Sequence, residues 1–310
     1  MTPAPIAIAL VAIGLLFVAA RLRDPWPKWL LPCATAVLFV CAWQVACEWK
    51  SYDITRADGT LRRVWVWPTP GQVASGMANP LLDGTVLRYS VASLFRVAAG
   101  FGIACAIGIP LGLWMGWSLR AFQALNPLVQ ALRPISPIAW IPLAILWFGV
   151  KDESAIFLIF LSSFFPIVTG TVTAVRAIPL VHVRSAQNFG LGGFELIRRV
   201  VFPAALPQIV TSLRIALGIA WVVIVAAEMI AVDSGLGYLI QDARSASNYD
   251  RVVGAMICIG LLGLALDWTV RRLETLDEVR WAFPKHRGES ETEFVRAKLE
   301  VARARSARKP

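Results

Sequence analysis

Residues 180–214 read LVHVRSAQNFGLGGFELIRRVVFPAALPQIVTSLR, the most polar long insert between two apolar runs in a chain of 310 residues. The pattern predicts two short helices folded back on each other. Pro179 suits a first helical turn, where its missing N–H would be unpaired anyway. Leu180, Val183, Ala186 and Phe189 recur at helical spacing, and Gly190 sits where a left-handed residue ends a helix. Gly192 and Gly193 allow a sharp turn. Phe194, Ile197 and Val201 begin a second apolar stripe, while Arg198 and Arg199 face elsewhere. Pro203 and Pro207 are expected to break this second helix and restart the chain as a new apolar segment. Such a hairpin at a membrane surface reads as a docking element.

The sequence around the hairpin is lipid-solvated in character. Hydrophobic residues make up 57% of the chain and charged ones only 16%, where a soluble domain carries about 25% charged residues. Mean hydropathy is +0.63. The net charge of +10 fits basic cytoplasmic loops of a membrane protein. The charges are not interleaved with aromatics in a stripe, which argues against nucleic acid as a partner. Cys33, Cys41, Cys47, Cys105 and Cys258 all fall in or beside apolar spans. Their odd count and spacing argue against a disulfide framework or a zinc site, and they read as small buried apolar residues.

Hydropathy threads the chain through the membrane seven times, at residues 4–20, 30–47, 91–117, 135–149, 155–175, 209–231 and 252–270. The first run lacks a basic residue before it, and Arg21 and Arg23 follow it, the wrong polarity for a secretory signal. It is expected to be an extra N-terminal membrane helix with its N-terminus outside. Trp26, Trp29 and Trp49 flank the second span as interface anchors. Residues 48–89 read as an irregular segment at the outer interface, and residues 118–134 as a short loop. Pro137 and Pro142 predict a kinked or partly re-entrant fourth span. The segments assigned inside (21–28, 118–134, 176–208 and 271–310) hold 20 of the 30 Lys and Arg residues, which places the C-terminus in the cytoplasm.

Within the third span, Gly100, Ala104, Gly108, Gly112 and Gly116 repeat every four residues. Small residues at that spacing make a groove along one helix face, into which another helix packs closely. Glu228, within IVAAEMIAV, has two readings: a functional intramembrane acid with a structural or gating role, or an interfacial carboxylate capped by neighbouring backbone. Arg214 is expected to snorkel to the headgroups. Asp267 and Arg271 are expected to form an i,i+4 surface pair. The basic tail, 273–310, reads as solvated chain or as a contact to anionic membrane lipid.

The hairpin also carries a family resemblance. Arg184-Ser185-Ala186, three residues, Gly190, nine residues, Val200, then Phe202-Pro203 resembles the "EAA" loop of bacterial ABC importer permeases, with Arg184 standing where that family has Glu. The runs RVAAGFGIACAIGIPLGLWMGWS, LRPISPIAWIPLAILWFG and LRIALGIAWVVIVAAEMI followed by SGLGYLI are similar to the nitrate/sulfonate/taurine branch, over roughly residues 88–275. The resemblance implies an all-α polytopic membrane fold, a six-helix type I permease core preceded by one extra transmembrane helix. Residues 1–28 would hold that helix and a short loop, 29–87 a membrane helix and periplasmic segment, and 88–272 the core with its docking loop at 176–208.

The resemblance further implies that Arg184, Ser185, Ala186, Gly190, Val200, Pro203 and Pro207 form a docking loop for separate ATPase subunits. The other implied partners are a periplasmic substrate-binding protein and a second permease copy, with a small anion as cargo. A GxxxxGK[ST] phosphate loop is absent, no Gly-Lys dipeptide occurs, and His182 and His286 are isolated. The chain is therefore expected to be non-catalytic and to carry no cofactor. The rival expectation, an ATP-independent secondary transporter or channel, calls for mid-membrane coupling residues and inverted repeats, and neither is visible beyond Glu228.

Overall fold

Apolar runs of this length form helices because lipid offers the backbone no hydrogen-bond partner. The structure, a computed structural model, describes residues 30–49, 51–55, 61–65 and 67–273. The expected first helix, Trp26 and Trp29, and the tail beyond residue 273 lie outside the described residues. The helices are α1 (Leu30–Trp49), α2 (Pro70–Leu82), α3 (Thr85–Trp117), α4 (Leu119–Leu132), α5 (Ile141–Phe148, after a 3₁₀ turn at Pro137–Trp140), α6 (Asp152–Arg176) and α7 (Leu180–Asn188). They continue with α8 (Gly193–Ile230), α9 (Leu236–Ser245) and α10 (Tyr249–Leu273). Two strands, β1 (Ser51–Thr55) and β2 (Leu61–Trp65), pair antiparallel with Ser51 opposite Trp65.

The helical membrane fold agrees with the sequence. Among the described residues, four helices are long and apolar enough to cross a membrane: α3, α6, α8 and α10 to Arg272. The pair Leu119–Leu132 and Pro137–Phe148, bent by 83°, qualifies as a fifth when taken together. That bend lies at residues 133–136, ahead of Pro137, whereas the sequence predicts the kink within 135–149 at Pro137 and Pro142. The apolar part of α1, Cys33–Cys47, is shorter than these spans. With 33 residues α3 is about 50 Å long, well beyond a hydrocarbon core of roughly 30 Å.

Three local expectations are corrected. Residues 118–134 are not a short loop: Ser118 caps α4 by accepting the Ala121 N–H, and Ala121 and Val129 are buried on its apolar face. The described residues of 48–89 are not irregular. They hold the β-ribbon and α2, which opens on a reciprocal capping box. Thr69 N–H donates to Gln72 Oε1 (2.8 Å), Gln72 N–H donates to the Thr69 hydroxyl, and Pro70 takes the first helical position. The last span does not end at residue 270: Arg271 and Arg272 belong to the last turn of α10.

The chain divides into two compact units. One comprises Val225–Leu262 with the residues up to Phe95, and the other Arg96–Ile224 with the residues from Gly263. In the first, Met77, Val86, Leu236, Leu239, Ile240 and Ala255 form a buried cluster drawn from α2, α3, α9 and α10. A Cβ on Gly254 would run into the Met77 side chain, so α2 and α10 cross at close range. Cys47, 1% exposed, donates its thiol to the Pro68 carbonyl and ties α1 to the approach to α2. Cys41 is buried too, but Cys33 is exposed, and all five cysteines are free thiols. In the second unit, Met115, Val129, Val168 and Val172 pack together beside Ala104, Ile167 and Ala216. Hydrophobicity cannot drive such contacts in lipid, so close van der Waals packing carries them.

Candidate functional site

The hairpin 180–201 is built on its glycines. Helix α7 closes in a Schellman turn: the Leu191 N–H donates to the Ala186 carbonyl (3.1 Å) and the Gly190 N–H to the Gln187 carbonyl (2.9 Å). Gly190 stands at φ +85°, a conformation that costs any residue with a Cβ. Gly193, at φ +54°, starts the return helix. Pro179 is the N-cap of α7 rather than a residue of its first turn.

The return helix does not break at Pro203 or Pro207. It runs unbroken from Gly193 to Ile230, through a π-helical segment at Ile197–Val201. Proline clashes with the carbonyl four residues back and offers it no N–H. The wider π turn at Ile197–Val201, one residue before Pro203, relaxes that conflict, so the helix continues through the proline instead of stopping.

Ala186, Leu196 and Val201 are buried, whereas Arg184, Ser185 and Pro203 are exposed, Val200 is half-buried and Pro207 is buried. Val201, Ala205 and Ile209 pack on Ala174 and Val175 and root the hairpin on α6. Its outer surface stays apolar. Phe189 is 88% exposed and Phe194 77%, and Leu180 and Val181 are also uncovered. Behind the hairpin a cleft of about 630 Å³ is lined by Ile178, His182, Ser185, Arg199, Pro203 and Gln208, among others. Arg199 pairs with Glu195 one turn back at 3.0 Å, with both side chains exposed.

The four-residue repeat of α3 lies against α6. Ala104 is fully buried. A Cβ on Gly100 would stand 2.7 Å from the Ile156 carbonyl oxygen, one on Gly108 3.0 Å from Ile167, one on Gly112 2.5 Å from Thr171 and one on Gly116 2.6 Å from Val175. The partners advance by about four residues with each glycine, so two helices run side by side with small residues at each contact. At the Arg96 end of this pair, Arg96 is 1% exposed and donates to Asp152, in the first turn of α6, at 2.7 Å.

Glu228 is a buried helix cap. Its Oε2 accepts the Gly237 N–H (3.0 Å) and the Ser93 hydroxyl (2.9 Å), and the Ser93 oxygen in turn accepts the Leu236 N–H (3.1 Å). Leu236 and Gly237 are the first two residues of α9, whose own N-cap, Gly235, has no side chain to offer. Carboxyl and hydroxyl oxygens from two other helices thus satisfy these free N–H groups at the start of α9. A Cβ on Gly235 would collide with the carboxylate, and one on Gly237 would stand 2.8 Å from the Glu228 Cβ. Glu228 therefore accepts a backbone N–H in the buried interior, at 1% exposed.

Arg214 does not snorkel. Its Nε and a terminal nitrogen donate to the two Asp267 oxygens at 2.9 and 3.3 Å, and Arg271 joins the same carboxylate at 2.8 Å. The i,i+4 pair is present, and Arg214 makes it a three-membered cluster between α8 and α10. The Asp267 carboxylate matches the guanidinium fork with two parallel N–H···O contacts.

The family described as "binding-protein-dependent transport system inner membrane component" matches residues 108–276, the hairpin included. The chain is 34% identical to the nitrate import permease protein NrtB of Synechocystis sp., over 81% of this chain and 90% of that one. It is 35% identical to the taurine transport system permease protein TauC of Escherichia coli, over 67% of this chain and 77% of that one. A chain of the MetNI methionine ABC transporter, solved in inward-facing conformations, shares the fold with a TM-score of 0.55, covering 64% of this chain and 95% of that one at 17% identity. The exposed hairpin, the membrane-spanning helices and these likenesses agree: the chain belongs to the binding-protein-dependent inner-membrane transport components, as an ABC importer permease of the nitrate/sulfonate/taurine type.

Proposed function

We propose that this chain is the non-catalytic membrane subunit of an ATP-driven importer. Two copies surround a path for a small anion of the nitrate, sulfonate or taurine class, delivered by a periplasmic binding protein. Separate ATPase subunits dock on the cytoplasmic face of the hairpin, through Arg184, Ser185, Ala186, Gly190, Val200, Pro203 and Pro207 and the apolar side chains around them. The C-terminus lies in the cytoplasm. ATP binding biases the permease between outward- and inward-facing states, because a partner with different contacts in the two states shifts their populations. The observation that carries this reading is the hairpin itself: rooted on α6 by buried residues, it leaves Phe189 and Phe194 uncovered. Exposed apolar surface on a rooted element marks a protein interface. Glu228 serves here as a fastening group for α9 rather than a substrate contact, and the glycine seam keeps α3 and α6 moving as one body.

Replacing Gly190 with Val tests the docking role. A β-branched residue strongly disfavours a positive φ, so the turn must rearrange. Tagged wild-type protein should co-purify with ATP hydrolysis activity from detergent, and the variant should lose it while its membrane level is unchanged. Equal ATPase recovery from both would refute the docking role.

A further inference from the structure

We propose that the cavity between α3, α4 and α6 is a transient oxyanion subsite on the release side of the permease, with Arg133 and Arg176 as its ligands. The inference rests on the anion-import reading above and names a site within it. The cavity measures about 470 Å³, far above the 10–15 Å³ that one water needs, so an oxyanion enters with part of its hydration shell. Asn126, Gln130 and Arg133 line it from one face of α4, and Thr169, Thr173 and Arg176 from one face of α6, over an apolar floor that includes Met115 and Val168.

The charge balance is one-sided. Two guanidinium groups contribute, and no Asp or Glu is among the lining residues. Each arginine stands at a helix C-terminus, Arg133 as the cap of α4 and Arg176 in the last turn of α6, where a cation also answers the helix dipole. That role alone does not require the two to share a cavity with two side-chain amides. Arg176 is held in place, its guanidinium carbon 3.5 Å from the centre of the Phe122 ring. The threonines donate their hydroxyls within α6, to the Phe165 and Thr169 carbonyls, so the donors for an anion are the two arginines and the Asn126 and Gln130 amides. A planar or tetrahedral oxyanion matches forked guanidinium donors.

The position suits release rather than capture. Arg176 closes α6 only four residues before α7 begins, and Ala177 lines both this cavity and the cleft behind the hairpin. An anion held here sits beside the element on which the ATPase docks. Because both arginines are exposed, the affinity is low, as a release site requires.

The test uses the purified full-length chain in lipid-free detergent. Phenylglyoxal modification of individual arginines is followed by mass spectrometry with sodium nitrate, taurine or sodium chloride at equal concentration. Nitrate or taurine should slow modification of Arg133 and Arg176 severalfold more than chloride and leave Arg184 unaffected. Equal slowing at Arg184, or none at the pair, overturns the proposal. Repeating the measurement in phosphatidylglycerol nanodiscs identifies the source of the oxyanion: protection by that lipid alone, with nothing from nitrate or taurine, makes the cavity a headgroup site and overturns it as well. A functional arm compares ATP-dependent anion uptake by the reconstituted importer. Arg133→Gln with Arg176→Gln should lower uptake roughly tenfold with ATPase association intact, and the double Lys variant, which restores the charge without the fork, should recover only part of it. Unchanged uptake in the Gln variant, where the wild type imports, overturns the subsite and leaves the importer reading standing. A wild type that imports no anion with ATP refutes the importer reading itself.

Discussion

The α3–α6 contact gives the sharpest quantitative prediction. At Gly112 a Cβ would lie 2.5 Å from the Thr171 Cβ and 3.0 Å from the Val168 carbonyl oxygen. Carbon atoms settle about 3.5–4.0 Å apart, so Gly112→Ala drives the helices apart by about 1 Å or forces Thr171 off its place. Overpacking of this kind costs about 1–3 kcal/mol. Alanine also gains about 0.5–1 kcal/mol over glycine in a helix interior, which obscures the steric cost in a single comparison. Gly102 removes that confusion, because it lies on the same helix with nothing within 4 Å of its Cβ position. The difference between Gly112→Ala and Gly102→Ala isolates the contact at about 1–3 kcal/mol, roughly 5- to 150-fold in the folding equilibrium. Unfolding in mixed micelles, followed by helical circular dichroism, measures it. The cost should be large at Gly100, Gly112 and Gly116, smaller at Gly108 (3.0 Å to Ile167), and absent at Gly102. Equal midpoints for the Gly112 and Gly102 variants would refute the packing argument.

The remaining predictions concern the polar clusters. Glu228→Gln replaces a carboxyl that accepts the Gly237 N–H and the Ser93 hydroxyl by an amide and should weaken the start of α9 by about 1–3 kcal/mol; amide exchange at Leu236 and Gly237 should accelerate accordingly, and protection equal to wild type would contradict the cap. Gly235→Ala meets both a strained φ of +107° and the Glu228 carboxylate, so it should be more destabilising in the thermal melt than Gly71→Ala, whose Cβ site is empty. In a double-mutant cycle, Arg214→Gln with Asp267→Asn should show the larger coupling and Arg271→Gln with Asp267→Asn the smaller, because Arg271 is the more exposed of the two arginines (60% against 32%). A larger coupling for Arg271 would reverse the assignment of which arginine holds the carboxylate.

How far the sequence could be read depends on how locally each feature is encoded. The spans at α3, α6, α8 and α10 are legible because a long apolar run in lipid satisfies its own backbone by forming a helix. The α3 groove is legible because a four-residue repeat of small side chains leaves a helix one face to offer, though the repeat does not say which helix fills it. Two misreadings had local signals that were available. Thr69-Pro70-Gly71-Gln72 is a capping-box pattern, and Ala121, Leu125 and Val129 recur at helical spacing across what was read as a loop; Pro127 and the flanking arginines masked the second. Reading Pro203 and Pro207 as a break applied a rule that holds for a regular α-helix, and the π segment at Ile197–Val201 changes the geometry on which the rule depends. The pairing partners were beyond reach for a different reason. Ser93 lies 135 residues from Glu228, and Arg214 lies 53 from Asp267; nothing in a single sequence joins positions so far apart. Arg96 was overlooked for the same reason, since only the fold brings Asp152 to it.

The central claim is that this chain moves an anion only when an ATPase is engaged with its hairpin. The most direct measurement is nitrate and taurine uptake into proteoliposomes holding the chain with its ATPase subunits and binding protein, with and without ATP, for the wild type and for Gly190→Val. The account predicts uptake that requires ATP and binding protein together and that disappears in the variant. Uptake by the chain alone, without ATP and indifferent to the substitution at Gly190, would contradict it.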